Sequence, residues 1–120
     1  MHKLVKLLLR NARRCPGRIV FPEADESRVL QACVKCVKLG IARPILLGNV
    51  EKTKNNFRRL RLSTKGITFL DQYLSPQLHR YARRMYQLRR KKGWAFDDCA
   101  EKARERIYFA TMMVEQGDAD

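Results

Sequence analysis

Arg89 is the residue whose type and position point most directly to chemistry. In the helix-forming stretch from Ser75 to Lys92, Leu78, Tyr81, Ala82, Met85 and Leu88 recur at helical spacing, with Arg80, Arg83, Arg84 and Lys91 largely opposite. Arg89 follows Met85 by four residues, so its guanidinium emerges beside the apolar stripe and not among the solvated charges. A cation so placed calls for an anionic partner, and a planar guanidinium matches phosphate. On geometry alone the competing reading is an aliphatic stem that packs while its charged head reaches water.

The remaining reactive side chains form no comparable constellation. Cys33-Val34-Lys35-Cys36 has the spacing of a redox pair or half a zinc site, but a redox pair belongs at a helix N-terminus and zinc needs a second ligand pair. In mid-helix on an apolar face these two are packing residues, and with Cys15 and Cys99 they are read as reduced thiols. His2 and His79 are the only imidazoles and join no Cys/His or Ser/His/Asp arrangement, so they are assigned to the surface. No Gly-x-Gly-x-x-Gly and no Gly-Lys-Ser loop occurs, which argues against dinucleotide and nucleoside-triphosphate sites, and no metal site is expected.

Charge widens the set of ligands. The 120 residues carry 26 Lys and Arg against 12 Asp and Glu, a formal charge of +14, gathered in Lys3 to Arg18, Lys52 to Lys65 and Arg80 to Lys92. Such clusters suit nucleic acid or the phosphates of a nucleotide-like substrate; the plain alternative is solvated helix faces. No apolar run is long enough to cross a bilayer, so no membrane partner is expected. The basic start, Met1 to Arg14, is read as a surface helix and not as a transit or signal peptide, and a cytoplasmic location is expected.

The elements that must hold Arg89 in place alternate in type. Residues 3 to 13 make a basic amphipathic helix ended by Pro16-Gly17, and Arg18-Ile19-Val20-Phe21 forms a short strand closed by Pro22. The acids Glu23, Asp25 and Glu26 precede a helix from about Glu26 to Leu39 that stops at Gly40. Pro44 to Gly48 is a second buried strand; a polar helix from about Val50 to Arg61 leads to a third, Ile67 to Leu70. Ser75 caps and Pro76 opens the helix that carries Arg89 to Lys92, Asp97-Asp98 begin another, and Tyr108 to Val114 closes on Gly117. The fold class is α/β: a partial three-layer α/β/α arrangement with parallel strands, in one domain. Three strands leave edges uncovered, and a further strand is expected after Gly117.

Taken in order, several stretches resemble the N-terminal part of the phosphate acetyltransferase (phosphotransacetylase) family over nearly the whole chain. They are Arg18-Ile19-Val20-Phe21-Pro22-Glu23, Arg28-Val29-Leu30-x-Ala32, and Gly40-Ile41-Ala42-x-Pro44 through Asn49. Tyr86-x-Leu88-Arg89-x-x-Lys92-Gly93, Tyr108-Phe109-x-x-Met112-Met113 and Gly117-Asp118-Ala119-Asp120 follow.

The resemblance implies acyl transfer between coenzyme A and phosphate, interconverting acetyl-CoA and acetyl phosphate, with no cofactor, metal or prosthetic group. In that family the arginine of the Tyr-x-Leu-Arg motif is associated with coenzyme A, which assigns the coenzyme A phosphates to Arg89. Members run on from Gly-Asp-Ala-Asp into a strand and a serine-containing loop, so residues 1–120 are expected to be part of a first domain truncated before the catalytic segments. No catalytic residue is assigned here. Oxyanion stabilisation and a positioned base are each worth on the order of 10²-fold or more, so the chain is expected to be inactive alone. Two alternatives remain: a basic module holding RNA or another polyanion, and a fragment that complements a separately encoded chain or forms a homo-oligomer.

Overall fold

The computed structural model describes residues 2–120. Its elements are α1 (Lys3–Arg14), β1 (Gly17–Phe21), α2 (Ser27–Leu39), β2 (Ala42–Leu47), α3 (Val50–Arg59), β3 (Thr68–Leu70), α4 (Leu78–Arg89), α5 (Phe96–Lys102) and α6 (Arg106–Glu115), with single 3₁₀ turns at Gln72–Leu74 and Arg90–Lys92. None of the described helices is long and apolar enough to cross a membrane.

The three strands pair in parallel in the order β1-β2-β3, with Val20 opposite Ile45 and Leu46 opposite Phe69. β2 therefore has a neighbour on each side and helices above and below. Because side chains alternate along a strand, Leu46 packs with Leu30, Cys33, Val34 and Phe57 of α2 and α3. Ile45 and Leu47 turn the other way, onto Tyr81, Met85, Phe109 and Met112 of α4 and α6. This is the expected three-layer arrangement. It also explains why Pro44 to Leu47 is an unbroken apolar run: a strand covered on both faces has no solvent side to mark with polar residues. Burying a Leu side chain such as Leu46 or Leu47 contributes about 1.5–3 kcal/mol.

Several boundaries move for local reasons. α3 ends at Arg59 and not at 61, because Arg61 takes a left-handed conformation with φ 55°. Ser75 does accept the Gln77 N–H at 3.1 Å, but it caps a preceding turn and the regular helix starts at Leu78. At the other end Arg90–Lys92 tightens into a 3₁₀ turn before Gly93 reverses the chain at φ 87°. Of the acids expected to favour the start of α2, Glu26 is the capping residue but makes no side-chain cap, while Asp25 pairs with Arg106 at 2.9 Å.

Two surfaces stay open. α1 contributes no buried residue; Leu4 and Leu8 are 56% and 57% exposed, and the helix is tied down where Arg13 Nε donates to Leu39 O at 2.7 Å. Beyond α6 the chain returns to the outer edge of β1. There the Asp120 N–H donates to Arg18 O at 2.8 Å, and the Arg18 N–H donates to the Asp120 carboxylate at 2.9 Å. The Arg18 guanidinium completes the clasp and holds the Asp120 carboxyl below its ordinary range.

Gly66 makes the β3 approach possible. Its φ is 78°, and a Cβ there would meet Val37 Cγ1 at 2.8 Å, whereas Gly117 at φ 79° has open space. Gly66→Ala should lose about 1–3 kcal/mol in urea unfolding, and more than Gly117→Ala, since both carry the backbone penalty and only the first also overpacks. Equal losses would show that Val37 gives way.

Candidate functional site

α4 and α6 meet along Met85 and Met112, which are buried and form the floor of a groove of about 310 Å³. Its walls are Leu88 and Ile107, 47% and 60% exposed, with Tyr108 and Thr111 beside them. Arg84 Nε and Glu115 Oε1 form an ion pair at 2.6 Å, and Glu115 lines the groove as well. At the end of α4, Gly93 turns the chain so that Trp94 comes back beside the helix, its backbone N–H directed at Arg89 O. The Arg89 guanidinium lies 5.9 Å from the centre of the Trp94 ring.

Arg89 thus stands where helical spacing puts it, at the rim of the apolar stripe, and it is exposed. Among the described residues it forms no ion pair, unlike Arg80 and Arg84 of the same helix. Those two differ from their expected role as solvated charges. Arg80 binds Asp118, which also accepts the Tyr81 hydroxyl, and Arg84 binds Glu115, so both cross-link α4 to α6 and the turn after it. Burial, then the bond to Asp118, pushes the Tyr81 hydroxyl well above its ordinary range, so it remains a donor.

The groove can therefore take a ligand with an apolar part along Met85 and Met112 and an anionic part at Arg89. A flat group could also share the Trp94 face with the guanidinium. It is poorly equipped for proton abstraction. Its carboxylate, Glu115, is held below the usual range by hydrogen bonds from Gln116 and Arg84. Trp94 was not singled out in the sequence; the available signal was a large aromatic residue directly after a helix-stopping glycine.

The other candidates fall where the sequence puts them. Cys33 is fully buried in α2 among Leu30, Val34 and Leu46, and burial, then the neighbouring Cys36, pushes its thiol up to about 12. His2 caps α1, with Nδ1 accepting the Leu4 N–H at 3.1 Å, and His79 lies edge-on to Phe96 on the outer side of α4. Among the described residues no group of three or more His, Cys, Asp or Glu is placed to hold a metal ion.

Comparison with known proteins adds an independent line. The profile of the family described as phosphate acetyl/butaryl transferase matches residues 3–120. The chain is 34% identical over 113 residues to a phosphate acetyltransferase of Nitratidesulfovibrio vulgaris, covering 94% of this chain and 16% of that protein. It is also 34% identical over 117 residues to one from Thermoanaerobacterium thermosaccharolyticum, covering 98% of this chain and 35% of that protein. A phosphotransacetylase from Staphylococcus aureus superposes with a TM-score of 0.83 at 26% identity, over 96% of this chain and 36% of its own. One from Streptococcus pyogenes gives 0.83 at 25% identity, over 97% and 36%. The chain therefore spans about a third or less of the length of these relatives.

The burial of Cys33 and Cys99 has a direct check. Under native conditions a thiol-alkylating reagent should modify exposed Cys15 readily and leave Cys33 and Cys99 unmodified until the chain is unfolded. Rapid native labelling of Cys33, or a Cys33–Cys36 disulfide under mild oxidation, would reinstate the redox reading.

Proposed function

The chain belongs to the phosphate acetyl/butaryl transferase family, matching its N-terminal segment, and from that membership we propose that it serves phosphate acetyltransferase chemistry by holding coenzyme A. The reaction served is the exchange of an acetyl group between acetyl-CoA and phosphate. The observation that carries the reading is the rim of the α4/α6 groove, where the Arg89 guanidinium, in no ion pair among the described residues, lies over Trp94 beside apolar walls. Coenzyme A has both halves that such a groove suits: phosphates for the guanidinium, and a long neutral arm that can lie along Met85 and Met112.

Holding the ligand is separate from reacting it. A thiol attacking or leaving a carbonyl needs a base and a donor set for the developing oxyanion. Glu115 is kept ionised and engaged by Gln116 and Arg84, which suits it to shaping the groove and not to accepting a proton. We therefore assign binding to this segment and no catalytic residue to it, with no metal or prosthetic group required. Buried thiols such as Cys33 and Cys99 suit a reducing compartment, and the cytoplasm is the setting proposed.

The uncovered leucine face of α1 favours a second reading, in which the chain complements a separately encoded polypeptide or another copy. Phosphate-dependent release of thiol from acetyl-CoA would then arise on mixing and not from the chain alone.

Calorimetric titration with coenzyme A tests the binding role. Charge-assisted hydrogen bonds contribute about 1.5–3 kcal/mol, so Arg89→Ala should weaken binding roughly 10- to 100-fold. Arg89→Lys should recover only part of the loss, because a point charge lacks the planar fork. Unchanged affinity in Arg89→Ala would remove this residue from the site.

A further inference from the structure

A second groove lies on the other side of α4, and coenzyme A binding at Arg89 leaves it unused. It is open, about 510 Å³, and bounded by His79, Arg83, Tyr86, Gln87 and Arg90 with Phe96 from the start of α5. Arg83 stands two residues before Met85, about 160° around the helix from it, so the two grooves are separate faces of one element.

Its make-up is specific. Phe96 is the hub of an aromatic floor: the His79 and Tyr86 rings each lie 6.0 Å from its centre in edge-on contact. Tyr86 and Phe96 are half-buried, leaving part of each ring accessible. Arg83 and Arg90 flank this floor, seven residues apart, which along a helix is about 10 Å. The ion pairs of the described residues use Arg18, Arg80, Arg84, Lys102 and Arg106, and neither Arg83 nor Arg90 is among them. Lys91 and Lys92 extend the positive charge past the end of the helix.

We propose that the groove formed by α4 and the start of α5 is a binding site for single-stranded nucleic acid, with Arg83 and Arg90 on successive phosphates and Phe96 with Tyr86 as the base-stacking floor. Rings supply sequence-tolerant stacking while flanking cations track the backbone. A polymer is favoured over a free nucleotide for two reasons. The groove is open and shallow, so a small ligand would be little enclosed. The chain also carries a formal charge of +14, which adds attraction along a polyanion well beyond the two arginines.

Fluorescence anisotropy of the full chain with a labelled 12-nucleotide oligouridylate, over a series of salt concentrations, tests this. Arg83→Ala/Arg90→Ala should weaken binding about tenfold or more and reduce the salt slope by about 1.4, at roughly 0.7 per phosphate contact on a single strand. Phe96→Leu keeps apolar volume for folding but removes the ring, and should cost severalfold at every salt concentration. Lys6→Ala/Arg10→Ala removes the same charge from α1 and should cost less than about threefold. Failure to bind, an equal loss from the α1 pair, or unchanged affinity in Phe96→Leu would each overturn the site. Because Arg89 is retained in all these variants, coenzyme A titration of the same proteins should be unaltered, so the two sites fail or stand independently.

Discussion

Everything in this fold depends on β2 being buried on both faces. Leu46 closes the layer under α2 and α3, while Ile45 and Leu47 close the layer under α4 and α6. Two side-chain sets on one short strand thus fix where two helix layers can lie, and among the described residues no other strand has a paired neighbour on each side. β1 and β3 are edges, and each shows what an edge in this chain requires. β1 receives the returning segment through the Arg18 and Asp120 clasp. β3 is short and reaches its place through a glycine that lets the backbone close onto Val37.

The α4/α6 groove is a consequence of that layering. Tyr81 and Phe109 pack edge-to-face at 4.9 Å, which sets the two helices at the sheet. The ion pairs Arg80 to Asp118 and Arg84 to Glu115 lock the exposed flank. Partly exposed pairs such as Arg84 with Glu115 contribute little stability individually, about 0–1 kcal/mol. Their effect is positional: they occupy the cations that would otherwise compete with Arg89. What remains is a guanidinium over an indole at the rim of an apolar trough. The one carboxylate lining the groove, Glu115, is engaged by Arg84 and Gln116.

Local pattern carried most of this arrangement and non-local contacts carried the rest. Strand and helix alternation was legible because each change of period is written in adjacent residues, as in the Pro44 to Leu47 run and the stop at Gly40. The position of Arg89 was legible for the same reason, since four residues after Met85 is a statement about one helix. The partners of Arg80 and Arg84 lie about thirty or more positions away, and helical periodicity holds no information about them. Trp94 escaped because it reaches Arg89 through a left-handed glycine and not along a helix face. The amphipathicity of α1 shows that a face seeks cover but not what covers it, and among the described residues none of its side chains becomes fully buried.

The central claim, that the Arg89 and Trp94 rim is where coenzyme A docks, has an internal reporter because Trp94 is the only tryptophan in the chain. Titrating coenzyme A while following its emission should give a saturable change in the natural protein and a much weaker one in Arg89→Ala. An emission that stays constant to millimolar ligand, or a response identical in the two proteins, would contradict the account.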